Sequence, residues 1–190
     1  MKFYRPLPID KELKISPNAL IISKTDSEGN ILYTNSNLTK FSSYSKEELQ
    51  DAPHSLLRHP DMPRVIYFLL WEELKLGRDV TLLVKNLAKT GEYYWIHNEF
   101  MVTKNDLIYH STYSVTGEVP SKRAITQINK LYKILLKIEK KENMEASLFY
   151  LENYLQERQV TLQEYMSNIL KPQTVIESLF TKIRNTLVAA

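Results

Sequence analysis

The sequence predicts an α+β protein: a five-stranded antiparallel sheet with helices on one face, followed by an all-helical C-terminal segment. Three observations predict it. All four glycines lie in the first 120 residues, and beyond Pro120 only Pro172 breaks the chain. Within that first stretch, β-rich runs bounded by turn clusters stand on either side of a region with helical periodicity. After Ser121 the composition shifts to Lys, Glu, Leu and Gln, as expected of amphipathic helices. The implied organisation is an N-terminal segment, 1–18, a sheet domain, 19–118, and a helical segment, 119–190.

The elements follow in order. Residues 20–25 form a short apolar run that ends in the turn cluster Asp26-Ser27-Glu28-Gly29-Asn30, and 31–34 returns as the second strand of a hairpin. Ser45-Lys46-Glu47-Glu48 has the spacing of a capping box and opens a short helix through Leu49. In the next helix Asp61 is placed to cap free amides, Pro63 fits the first turn, and Gly77 closes the end. Between them Val65, Ile66, Leu69, Leu70 and Leu74 recur at helical spacing. Three strands follow at 80–84, 93–103 and 107–115, joined by turns at Gly91 and at Asn105-Asp106. Two groups of strands with helices between them give an antiparallel sheet covered on one face, and a concave space between sheet and helices suits a small ligand.

Along the strand at 93–103, Tyr94, Ile96, Asn98 and Phe100 share one face and are expected inside. Tyr93, Trp95, His97 and Glu99 share the other, which could meet the N-terminal segment or a partner. Lys85 is expected on the surface. The second half reads as four helices: 121–142, 144–158, a capping-box helix from Thr161 to Leu170, and a last one carrying Val175 to Leu187. The first carries Lys122, Arg123, Lys130, Lys133, Lys137, Lys140 and Lys141 against two glutamates, a net +5, whereas 144–165 carries a net −3. These are either faces that attract each other across a bundle or a charged docking surface.

Composition excludes several function classes. With no cysteine there are no disulfides, thiolate metal sites or cysteine nucleophiles. A formal charge of +3 does not argue for nucleic acid. No stretch approaches the roughly 18 apolar residues of a membrane span, and the first six residues lack the apolar core of a signal peptide. A soluble, cytoplasmic protein is expected, with docking to a membrane-bound partner left open. No Ser/His/Asp set, phosphate-binding glycine loop or paired-carboxylate arrangement stands out, so no enzyme is expected.

The run Arg58-His59-Pro60-Asp61-Met62-Pro63 narrows the reading. With Trp71, Leu74, Gly77, Val84-Lys85-Asn86, Gly91 and Tyr94-Trp95 it resembles the PAS sensors of the aerotaxis receptor family. Upstream Asn35, Phe41, Tyr44-Ser45 and Pro53-His54 continue the likeness, which covers roughly residues 5 to 135. The resemblance implies a PAS fold and flavin adenine dinucleotide (FAD) held in the cleft. It also implies a role in reporting redox, oxygen or energy state to a membrane-bound, methyl-accepting chemotaxis receptor. The helical segment then serves output or dimerisation, with a homodimer possible.

By the same resemblance Arg58, His59 and Asp61 are cofactor-binding positions, and Asn35, Asn86 and Trp71 are further candidates on their chemistry. An arginine can pair with a pyrophosphate, and a histidine can donate to it or to a ring carbonyl. Asn35 and Asn86 could bond the polar edge of the flavin ring, although Asn35 after a strand could equally form an Asx turn. Trp71 serves the core, the cofactor, or both. Val80 and Leu82 stand where the family usually has Trp and Gly, which leaves a second expectation: a ligand-free module, its cleft filled by aliphatic side chains, acting as a dimerisation or docking adaptor. The four histidines leave haem as a third.

Overall fold

The computed structural model describes residues 5–16, 19–105, 108–116 and 119–171. The helix expected from Val175 to Leu187 lies outside them. Strands β1 (Ile22–Asp26) and β2 (Ile31–Thr34) form the first hairpin. Asp26 fixes its turn: one carboxylate oxygen accepts from the Glu28 and Asn30 amides at 2.9 and 2.8 Å. Gly29 occupies the left-handed region at φ 85°, which a side chain would strain. Helices α1 (Ser36–Ser42) and α2 (Lys46–Leu49), a 3-10 turn at His54–Leu57, and α3 (Arg64–Lys75) follow, then β3 (Val80–Leu87), β4 (Tyr93–Asn105) and β5 (Ile108–Thr116). The capping box at Ser45 and Glu48 is fully formed. Gly77 ends α3 at φ 70°.

The sheet has the order β2-β1-β5-β4-β3, every neighbouring pair antiparallel. The expected five-stranded antiparallel sheet with helices is present, with β3 three residues longer than the sequence suggests. The N-terminal segment joins it: Leu13 donates to the Tyr93 carbonyl at 2.7 Å, and Tyr93 donates to that of Lys11 at 3.0 Å.

The strand pleat sets two faces. Tyr94, Ile96, Asn98 and Phe100 are all buried beneath the helices, as expected. The opposite face is not left to a partner. Helix α4 (Lys122–Lys141) meets it through Tyr132, α6 (Leu162–Leu170) packs along β3, and α5 (Met144–Gln156) packs on α4 and α3. Trp95 stacks on Tyr132 with ring centroids 6.4 Å apart. Ile128, Tyr132 and Leu135 are fully buried together with Leu83; each such side chain contributes about 1.5–3 kcal/mol.

An exposed strand edge invites pairing with other chains, and here β3 is capped residue by residue. The Thr81 amide donates to Gln163 at 2.9 Å, and the Tyr132 hydroxyl donates to the Leu83 carbonyl at 2.8 Å. His59 N–H donates to the Lys85 carbonyl at 3.1 Å, and the Lys85 amide points at the Met62 sulfur. The helical segment thus shares one continuous apolar core with the sheet.

Candidate functional site

Between sheet and helices lies a cleft of about 190 Å³. Its floor is Asn86 of β3, Phe100 of β4, Thr112 and Ser114 of β5, and Thr25 of β1. Its roof is Tyr67, Leu70, Trp71 and Leu74 of α3, and His54, Ser55 and Arg58 close one side. The period-2 alternation of the strands and the 3.6 period of α3 bring these residues together. Aromatic rings above and a hydrogen-bonding floor below can grip a flat heteroaromatic ring by its faces and its polar edge. Trp71 is held in place by the hairpin turn, for a Cβ on Gly29 would come within 2.9 Å of its ring. The Ser114 hydroxyl accepts from Asn98 Nδ2 at 2.6 Å, and Asn98 Oδ1 has no partner among the described residues. A buried acceptor of this kind normally finds a donor.

Three of the six sequence-predicted residues, Arg58, Trp71 and Asn86, therefore meet in the cleft. Arg58 lies over the Tyr67 ring, 5.0 Å from its centroid. Arg5 donates to the Arg58 carbonyl. Burial and the Arg58 charge both lower the pKa of Arg5, and among the described residues neither guanidinium pairs with a carboxylate. Arg58 lines the cleft, whereas Arg5 is exposed and lies outside the lining. Burial pushes the phenols of Tyr67 and Tyr94 up, the latter with the Asn86 amide beside it pulling it back. Both remain neutral hydrogen-bonding groups.

His59 and Asp61 lie elsewhere. Successive residues on an extended chain point to opposite sides, so the segment crossing the β3 edge sends Arg58 into the cleft and His59 outward. Lys85 and Asn86 divide in the same way. On the outer side Lys85 Nζ bonds Asp61 Oδ2 at 2.6 Å and sits 4.0 Å from the Tyr93 ring centroid. His59 meets Tyr93 edge-on at 5.8 Å, and its Nδ1 accepts from the Asp61 amide at 3.0 Å. Burial, then the Lys85 charge, lowers the His59 pKa to about 4, so the ring is neutral. Burial would raise the Asp61 carboxyl, but the Lys85 bond outweighs it and holds Asp61 below the usual carboxylate range.

Two expectations are corrected here. Lys85 is not a surface residue: its side chain is 12 % exposed, buried by the Asp61 and Tyr93 contacts. Asp61 does not cap α3, because Lys85 takes its carboxylate. The cap comes from 74 residues away: Glu139 of α4 accepts from the Arg64 and Val65 amides at 3.0 and 2.9 Å.

Asn35 is the N-cap of α1, with no part in the lining. Its Oδ1 accepts from Leu38 and Ile22 amides, both at 3.1 Å, and its Nδ2 donates to the Leu20 carbonyl at 2.8 Å. Among the described side chains His54 is the histidine that faces the cleft, with Nε2 3.0 Å from the Ser23 hydroxyl; burial lowers its pKa to about 4.

Sequence reasoning missed Arg5, Tyr67, Thr25, Thr112, Ser114 and Glu139. The three floor hydroxyls had a signal, since strand alternation places them on the same face as Asn98. Arg5 and Glu139 had none, because only the fold brings them to residues more than 50 positions away.

No family model matches the chain. Over 91 residues, 48 % of its length, it is 33 % identical to the aerotaxis receptor of Escherichia coli (strain K12), and it spans 18 % of that receptor. Its fold is similar to that of the blue-light photoreceptor Aureochrome1 LOV. In the light state the TM-score is 0.52 at 15 % identity, covering 58 % of this chain and 89 % of that one. In the dark state it is 0.50 at 16 % identity, covering 63 % and 86 %. Among the described residues no helix is long and apolar enough to cross a membrane. The sheet and its helical cover thus give a PAS-like fold, and 91 residues of the chain are similar in sequence to the aerotaxis receptor.

Proposed function

We propose that this protein senses redox, oxygen or energy state through FAD held in the cleft, and signals to a membrane-bound, methyl-accepting receptor. The observation that carries the reading is the convergence of Arg58, Trp71 and Asn86, from three separate segments, on one cleft with an aromatic roof and a polar floor. The lining suits the group: Trp71 and Tyr67 offer ring faces, Asn86 offers an amide to a polar ring edge, and Arg58 offers charge to a pyrophosphate. A bound flavin supplies a redox couple whose ring charge and protonation differ between oxidised and reduced states. The residues that meet such a change are Asn86 and Arg58. Their chain neighbours Lys85 and His59 sit on the far side of β3, next to the helical segment. The similarity to the aerotaxis receptor makes a chemotaxis role the natural context.

A second reading has its own observation. At about 190 Å³ the cleft is smaller than the roughly 300 Å³ at which ligand pockets begin. Val80 and Leu82 are buried on its sheet face, 6 % and 0 % exposed, as expected of a ligand-free adaptor. Haem is the least supported, since His54 Nε2 is engaged by Ser23. The visible spectrum of the purified protein separates the three. Flavin absorption that falls in Arg58→Ala and Asn86→Ala supports the sensor. A colourless protein that stays colourless after incubation with excess FAD rejects it, and a Soret band would indicate haem.

A further inference from the structure

The exposed face of α4 carries a charge pattern that the sensor reading does not use. At 3.6 residues per turn, the seven basic residues of this helix fall within an arc of about 100°. Within that arc only Thr126 is uncharged. All seven are solvent-exposed, and the helix rises about 29 Å from Lys122 to Lys141. Its acidic residues stand apart: Glu139 is turned inward to cap α3, and Glu142 follows the last turn.

The alternative, that these lysines attract the acidic faces of α5 and α6, is not what the chain does. Among the described residues none of the seven forms an ion pair with any carboxylate. Concentrated, unneutralised charge of one sign destabilises a compact state by self-repulsion, so the stripe is a cost to folding.

We infer that the outer face of α4 is a docking surface for an anionic membrane surface. Three features favour lipid over an acidic protein. Six of the seven residues are lysine, which is depleted in the cores of protein interfaces, where aromatic residues and arginine are enriched. Among the described residues of α4 the only large apolar side chain left exposed is Ile134, at 41 %, too little for a protein interface core. A row of charges on a straight rod suits a flat sheet of headgroups, and clusters of four to eight Lys or Arg on an amphipathic helix are the sequence form of acidic-lipid binding. The apolar side of α4 is spent on the domain itself, so the helix rests on headgroups without inserting. The contact places the sensor at the membrane.

The test uses the full chain in vesicle sedimentation. Vesicles of phosphatidylcholine are compared with vesicles containing roughly 30 mol % phosphatidylserine. The protein binds the anionic vesicles at about 0.1 M salt, releases them at about 0.5 M, and ignores the neutral ones. The variant Lys130→Gln/Lys133→Gln/Lys137→Gln, from the middle of the stripe, loses affinity roughly a hundredfold, at about fivefold per charge. Lys14→Gln/Lys46→Gln/Lys171→Gln removes the same charge from other faces and keeps the affinity. Circular dichroism confirms that both variants are folded. Failure to bind anionic vesicles, equal loss in both variants, or tighter binding to duplex DNA or polyglutamate than to the vesicles overturns the inference.

Discussion

Glu139 is the most informative residue to change, because one carboxylate from the helical segment holds the first turn of the helix that roofs the cleft. Pro63, at the N-cap of α3, offers no side-chain cap, so in Glu139→Ala the Arg64 and Val65 amides lose their acceptor. A lost cap costs about 1 kcal/mol, within a range of 0.5–2, and a carboxylate at a helix N-terminus adds about 0.3–1 kcal/mol. The two overlap, which puts the cost of Glu139→Ala at about 1.5 kcal/mol. In a chain of 190 residues this corresponds to a fall in Tm of roughly 3–6 °C. Glu139→Gln keeps one acceptor and loses the charge, so its cost is about half. The assay is urea and thermal unfolding, with hydrogen exchange resolved at the Arg64 and Val65 amides. In the variant those two amides exchange faster, while the amides of β4 exchange no faster than the overall loss of stability requires. If the Arg64 and Val65 amides keep their protection in Glu139→Ala, the cap is not a working contact, and the coupling of tail to cleft through α3 is wrong.

The remaining expectations are briefer. Gly29→Ala is strained at φ 85° and presses on Trp71; it costs about 1–2 kcal/mol and shifts the tryptophan fluorescence, and an unchanged spectrum would reject the contact. Asn35→Ala lowers stability by about 1 kcal/mol as a lost cap while leaving any bound flavin in place, whereas Arg58→Ala does the reverse; equal effects in both assays would erase the distinction between cap and cleft. Both His54 and His59 have folded pKa values of about 4, below the ordinary 6.5, so the unfolded chain binds more protons between those values. Stability is therefore full above about pH 6.5 and falls as pH drops toward 4, by on the order of 2 kcal/mol per histidine. His54→Gln and His59→Gln each flatten that slope in urea unfolding, and a slope unchanged by either removes the assignment.

What could be read from the sequence was whatever depends on local pattern. Strand alternation placed Tyr94, Ile96, Asn98 and Phe100 inside, and the capping boxes at Ser45 and Thr161 formed as read. Half of the candidate site, Arg58, Trp71 and Asn86, was legible only through the family resemblance, for Asn86 lies beyond the strand that local pattern gives at 80–84. The reading failed where neighbouring residues part company. Arg58 and His59 look like one functional pair in sequence, yet the chain crosses the β3 edge between them and their side chains end on opposite sides. Asp61 has the spacing of a cap, but a lysine in reach of a carboxylate offers more than two amides that Glu139 can also serve. No local rule contains that competition, because both winning partners come from distant parts of the chain.

The division across β3 also explains how so small a cleft can be read from outside. A packed domain transmits a change only through an element with two discrete arrangements, and the sheet interior, tied by ladder bonds on both sides, is a poor candidate. The β3 edge is different. Its outward groups are met by side chains and a loop: Gln163, Tyr132, Met62 and the His59 amide. Such contacts can shift one at a time without breaking a ladder. In the proposed sensor, a new hydrogen-bond demand on Asn86 or Arg58 moves the 58–63 loop along that edge. Lys85, Asp61 and the start of α3 move with it, and Glu139 passes the displacement to α4. The same geometry limits the amplitude. Tyr132 and Trp95 are buried and stacked, so α4 can tilt about that contact but cannot leave. Tyr132→Phe removes the hydroxyl bond to Leu83 and keeps the ring. On this argument it leaves flavin content and stacking intact, costs about 1 kcal/mol, and loosens protection along α4 more than along β4. Uniform loosening of both would place the pivot elsewhere.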